Sequence, residues 1–92
     1  MMRLQWTGKA RSDLKRLHEF LAPVNKPAAA RAVKALVAGP ALLLEHPRIG
    51  ERLEEFAPRE VRRIFVDAYE MRYEIQGEAI YILRLWHGRE DR

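Results

Sequence analysis

The sequence of 92 residues has no cysteine, which excludes a disulfide framework, thiol chemistry and any cysteine-ligated zinc. Histidine is scarce too: His18, His46 and His87 lie far apart with no ligand-like spacing, so a metal site would need carboxylates recruited from unrelated segments. The one serine, Ser12, lacks the strand-turn-helix glycine frame of a nucleophile elbow. Glycines at 8, 39, 50, 77 and 88 are scattered, and no phosphate-cradling loop can be built from them. No uninterrupted apolar run approaches the roughly 20 residues of a membrane span; the longest, Pro40 to Leu44, is a fragment of a helix. Residues Met1 to Trp6 lack the sustained apolar stretch and small-residue cleavage site of a signal peptide. The expectation is a soluble, cytoplasmic, single domain over residues 1–92, with no cofactor, no metal and no membrane.

What is present is a globular balance, 48% hydrophobic against 33% charged. Lys+Arg 17 against Asp+Glu 13 leaves a net charge of +4. That excess favours an acidic partner, whether nucleic acid, a nucleic-acid machine or an acidic protein segment; a plain basic, soluble surface is the alternative. At this length the core is thin, and a partner covering apolar surface would help it.

The first half of the chain has helical periodicity. Arg3 to Thr7 is a short strand-like segment, and Thr7 is placed to cap a helix over Gly8 to Ala22. Ala10, Leu14, Leu17 and Leu21 recur there at 4-3-4 spacing on one face. After Pro23-Val24, Asn25 can cap a second helix with Pro27 in its first turn, carrying an apolar stripe of Ala29, Ala32, Val33, Leu36 and Val37. The short link makes the two an antiparallel hairpin, with Leu14, Leu17, Leu21, Val33 and Leu36 expected in the core. Gly39-Pro40 should break or kink the second helix before a further turn over Ala41 to Glu45. His46 to Pro58 reads as loop.

Three strand-like segments follow: Glu60 to Val66, Ala68 to Gln76 and Ala79 to Trp86, rich in Val, Ile, Phe, Tyr and Trp. Gln76-Gly77-Glu78 is a strong hairpin signal; Asp67 is a weaker one. Met71, Tyr73 and Ile75 alternate with Arg72 and Glu74, as in a sheet with one covered face, and parity should hold along each strand. The element order is β-α-α-β-β-β, an α+β fold with a helical hairpin on a small, mainly antiparallel sheet. Arginines stand among the strand aromatics: Arg62, Arg63, Tyr69, Arg72, Tyr73, Tyr81, Arg84, Trp86, His87 and Arg89. Two readings are open. Such a surface can serve phosphates and bases; or Tyr73, Tyr81 and Trp86 are core, and the arginines solvate or pair with Glu60, Glu70 and Glu74.

This order resembles the RelE/ParE superfamily, the toxins of type II toxin–antitoxin modules, most of all its ParE or plasmid-stabilisation branch. The resemblance rests on Trp6-Thr7 with Ala10 and Asp13-Leu14, on His46-Pro47-Arg48-Ile49-Gly50, and on Arg59-Glu60-Val61-Arg62-Arg63-Ile64. It is strongest in Tyr69-Glu70-Met71-Arg72-Tyr73-Glu74-Ile75 and Ile82-Leu83-Arg84-Leu85-Trp86-His87-Gly88-Arg89. Two activities share this fold, and the fold cannot choose between them. ParE-like members are understood to poison DNA gyrase; RelE-like members cut messenger RNA in the ribosome without a metal.

The resemblance implies a toxin that inhibits DNA gyrase and is held inactive by a cognate antitoxin, an acidic segment folding across the hairpin and sheet. Residue by residue, the RelE-type paired lysines fall at Val61 and Arg63, the arginine after the strand tyrosine at Glu70, and the late arginine at Arg89. No tyrosine follows Arg89 to match the C-terminal one. Arg72 lies two positions from Glu70 on the same strand face, and His87 is placed as an acid or base. The expected target-binding group is Arg63, Arg72, Arg84, His87 and Arg89. Under ribosome-dependent mRNA cleavage, the alternative, Arg63, Arg72, His87 and Arg89 would be catalytic. A non-toxic protein-interaction module on the same fold is a further alternative.

Overall fold

The computed structural model describes residues 1–90. The order is β1 (Arg3–Trp6), α1 (Gly8–Leu21), α2 (Lys26–Ala38), α3 (Ala41–Glu45), β2 (Glu51–Arg52), a 3-10 turn (Glu54–Phe56), β3 (Glu60–Val66), β4 (Tyr69–Gln76) and β5 (Ala79–His87). One five-stranded sheet has the order β1-β5-β4-β3-β2. Only the β1–β5 pairing is parallel; β2–β3, β3–β4 and β4–β5 are antiparallel. The α+β expectation holds, with one addition inside the segment read as loop. Glu51 and Arg52 pair with Arg63 and Arg62 as a short edge strand, and two residues are too few to carry a periodic signal.

Both helix starts are capped as their sequences suggest. The Thr7 side chain accepts a hydrogen bond from the Ala10 N–H and that of Asn25 from the Ala28 N–H. Thr7 has a second task, since its hydroxyl also donates to the Ile82 carbonyl at 2.8 Å and so ties the start of α1 to β5. Thr7→Ala should therefore lower stability by about 1–2 kcal/mol, at the upper end for an N-cap; urea unfolding checks this, and a loss below about 0.5 kcal/mol would remove the sheet tie from the account.

Leu17, Leu36, Leu43, Met71, Tyr73, Ile80, Ile82 and Leu85 are fully buried between the helices and one sheet face. Leu14 and Leu21 pack against them, and Val33 is half-buried. Val37 is the exception in the α2 stripe, 51% exposed. Gly39-Pro40 interrupts the helix without undoing its helical backbone: Gly39 (φ −55°, ψ −44°) caps the end of α2 and Pro40 (φ −67°, ψ −10°) caps the start of α3. The helical stretch Lys26–Glu45 contains an 18-residue window of mean hydropathy 1.3 and is, by length and composition alone, apolar enough to cross a membrane. Arg31 and Lys34 interrupt the apolar run, so the expectation drawn from uninterrupted runs stands, while an average over the helix absorbs those charges. In this fold Ala29, Leu36 and Leu43 of that stretch are buried in the core.

The register contains a correction. Arg72 pairs with Arg84 but Tyr73 with Ile82, so Leu83 is an extra residue, a bulge in β5. Parity therefore does not run unbroken along this strand. Ile80, Ile82 and Leu85 belong to the core cluster, and Tyr81, Arg84 and Trp86 fall on the opposite face across from Glu74, Arg72 and Glu70.

Candidate functional site

The face of the sheet turned away from the core carries an arginine on each of three neighbouring strands. Arg63 of β3 is opposite Arg72 of β4, and Arg72 is opposite Arg84 of β5. Neighbouring strands lie about 4.8 Å apart, so the three guanidinium stems form one row across the sheet. Like charges placed directly opposite destabilise a sheet, and this row is held by what surrounds it.

Glu70, 1% exposed, contacts both Arg63 and Arg72 at 3.5 Å. Arg63 donates to Glu51 at 2.7 Å, a contact made possible by β2. Arg84 donates to Asp13 at 2.8 Å. Aromatic rings supply the rest: Arg72 lies 4.6 Å from the Trp86 ring and 5.2 Å from that of Phe56, Arg84 lies 5.0 Å from Trp86, and Arg63 lies 5.5 Å from Phe65. Next to the row, Arg59 holds Glu74 with two hydrogen bonds of 2.7 and 3.1 Å. The Arg59 guanidinium keeps the Glu74 carboxyl below its ordinary range, although burial works against it.

The structural reading of the aromatics holds in part. Tyr73 is core, its ring fully buried, and burial raises its hydroxyl above the ordinary tyrosine range. Trp86 is buried as well, yet on the outer face beneath two arginines. Tyr81 is half-buried.

The expected five-residue group divides into two. Arg63, Arg72 and Arg84 form the row. His87 instead pairs across with Tyr69 of the core cluster and meets its ring edge-on at 5.1 Å, so it faces the helix side. Arg89 follows it, donating its backbone N–H to His87 Nδ1. Phe56 and Arg59 are additions that sequence reasoning left in a loop. Their only signal was an aromatic and an arginine three residues apart just before a strand. Among the described residues, no group of three or more His, Cys, Asp or Glu is arranged to hold a metal ion.

Arginine stays protonated at any ordinary pH, so a row of guanidiniums binds and orients anions and does not itself move protons. The helical hairpin on a mixed five-stranded sheet has counterparts among known proteins. A family model described as the ParE toxin of the type II toxin-antitoxin system, parDE, matches residues 4–92. The chain belongs to this family of type II toxins. It is similar to Toxin RelE1 of Caulobacter vibrioides, 34% identical over 85 residues that cover 91% of this chain and 90% of that protein. Among solved structures it resembles the chromosomal ParDE TA system from P. aeruginosa, with a TM-score of 0.79 and 27% identity over 95% of this chain and 96% of that one. Membership implies a cognate antitoxin as partner.

Proposed function

We propose that this toxin acts in the cytoplasm by inhibiting DNA gyrase, with the arginine row on the outer sheet face as the surface that engages the target. The observation that carries this reading is the content of that face. Three guanidiniums in line suit an anionic partner surface, and a buried carboxylate, Glu70, stands where a nuclease of the RelE type would place an arginine on the phosphorane. A carboxylate there opposes the negative charge that such chemistry develops. The cognate antitoxin would cover the apolar side chains left in water around the α2–α3 junction and β3, among them Leu42, Ile49 and Phe65, which are 49%, 57% and 61% exposed.

Ribosome-dependent mRNA cleavage is the second reading. The name of the Caulobacter relative, Toxin RelE1, favours it, and so does the cationic row. Its weakness is His87, the candidate acid or base, which lies on the opposite sheet face from Arg63 and Arg72.

Supercoiling of relaxed plasmid by gyrase, with the purified chain added and linear DNA scored, tests the proposal. Wild type should block supercoiling and accumulate cleaved DNA. Arg63→Gln/Arg72→Gln should raise the concentration for half-inhibition at least about tenfold, the scale of losing two charge-assisted contacts. His87→Ala should leave it within about twofold. Inert wild-type protein that still arrests growth, together with a His87→Ala variant that no longer does, would replace this reading with the nuclease. Expression without the antitoxin that causes no arrest would point to an interaction module instead.

A further inference from the structure

A cleft of about 580 Å³ opens at one end of the arginine row, where α1 begins. Lys9, Arg59, Arg72, Arg84, Phe56 and Gly8 line it, so four cations from four segments converge on one space. No acidic residue stands in the first turn of α1. The four cations are not equivalent. Arg59 is saturated by Glu74 through two hydrogen bonds, and Arg84 by Asp13 through two more. Arg72 is not: its contact with Glu70 is long, at 3.5 Å, and its Nε is buried with no hydrogen-bond partner. Phe56 and Trp86 hold its guanidinium in place. Lys9 is exposed and has no ion pair among the described residues. The cleft thus presents two cations that lack a full set of carboxylate partners and come from different directions: Arg72, half-buried and only weakly paired with Glu70, and Lys9, exposed and without an ion pair among the described residues.

We propose that this cleft is an oxyanion site that takes a phosphate group of a nucleic-acid backbone. The division of labour among the cations favours phosphate over a peptide carboxylate. One guanidinium satisfies a planar carboxylate, as Arg59 does for Glu74 and Arg84 for Asp13 here, whereas a phosphate offers oxygens in several directions to donors from separate elements. Gly8 leaves the approach open, since a Cβ at that position would meet nothing within 4 Å. The proposal goes beyond the gyrase reading and does not depend on it.

The test is anisotropy of labelled single-stranded and duplex oligonucleotides with the purified chain, in the absence of gyrase, across a salt series. Lys9→Ala/Arg72→Gln should weaken duplex binding about tenfold near 0.1 M salt and flatten the salt dependence by roughly 0.9 in log–log slope, one neutralised phosphate's worth. Arg31→Gln/Lys34→Gln on α2 removes the same charge from exposed positions and should change affinity less than about twofold. Circular dichroism confirms folding; if the Arg72 variant fails it, Lys9→Ala alone should still show about half the slope change. No saturable binding by wild type, or an equal loss from the α2 variant, overturns the proposal. So does polyglutamate displacing DNA at equal charge concentration, which would assign the cleft to an acidic peptide. A nucleoside monophosphate binding as tightly as the oligonucleotide would assign it to a free nucleotide instead of a backbone. Because gyrase is absent, a failed supercoiling assay and a failed cleft remain separate results.

Discussion

Asp13→Ala should cost about 3–5 kcal/mol of stability, the usual consequence of removing one partner from a buried charge network. β1 pairs with β5 only as far as Ile82, so beyond that residue the edge of β5 has no strand beside it. Unpaired edges of this kind need cover, and α1 provides it with side chains. The Asp13 carboxylate, 4% exposed, accepts from the Leu85 N–H at 2.8 Å, and Arg16 donates to the Leu85 carbonyl at 2.9 Å. Asp13 also holds Arg84 and Arg16, and Arg16 reaches Glu90. Without the carboxylate, the Leu85 N–H is left buried and unpaired, and Arg84 loses its anchor at the end of the row.

The same network makes a pH prediction. Burial pushes the Asp13 carboxyl up, but the hydrogen bonds from Arg84, the Leu85 N–H and Arg16, with the charge of Arg84, outweigh it and hold the group below its ordinary value of 3.8. The folded protein binds this proton less readily than the unfolded chain does. Stability from the group is therefore complete above the unfolded value and disappears as pH falls through the lower, folded one. Urea unfolding of wild type and Asp13→Ala should show a gap that is constant near neutrality and narrows below about pH 4. A gap under 1 kcal/mol at pH 7, or one unchanged in strong acid, would mean the edge is sealed by other contacts.

Much of this architecture is legible in the amino-acid sequence because it rests on local signals. Thr7 and Asn25 cap their helices, Gly77 adopts the positive φ of 58° that its turn requires, and the span Glu60–Val66 coincides with β3. Asp67 takes φ 53° at the other turn, a conformation that aspartate tolerates better than most residues. What the sequence leaves dark depends on partners distant along the chain. Glu51-Arg52 is a strand only because Arg62 and Arg63 present a free edge to it. Leu83 is a bulge only because β4 and β5 pair at both ends in registers that differ by one residue. That single residue decides which face Arg84 and Trp86 occupy, so the row could not be read before the register was known. Glu70 looks like a surface carboxylate in sequence; three neighbouring strands bury it. The separation of His87 from the row follows from ordinary alternation after the bulge, with Trp86 outward and His87 inward.

Gly50→Ala should be the other severe substitution, at about 3 kcal/mol, near the top of the range for overpacking a close-fitted site. The reason lies in how the loop before β2 is fastened. Tyr73, at the centre of β4, donates its hydroxyl to the Pro47 carbonyl at 2.7 Å and accepts from the Gly50 N–H at 3.1 Å. Arg62 donates to the Gly50 carbonyl at 2.7 Å. A Cβ at residue 50 would stand 2.6 Å from both the Arg63 carbonyl oxygen and the Tyr73 hydroxyl. One neighbour is backbone in a sheet and the other a fully buried ring, so neither moves cheaply. Tyr73→Phe removes the hydroxyl and should cost about 1–3 kcal/mol, leaving the Gly50 N–H and the Pro47 carbonyl without their partner. The double variant should cost less than the sum of the two, because deleting the hydroxyl relieves one of the two clashes. Strict additivity in urea unfolding would show that the clash with the Arg63 carbonyl acts alone. The consequence reaches the functional face: Gly50 sets the position of Glu51, Glu51 holds Arg63, and Arg63 is the outer end of the row. Gly50→Ala protein that remains folded at low temperature should therefore bind its target as weakly as Arg63→Gln does, although residue 50 itself lies on no part of that surface.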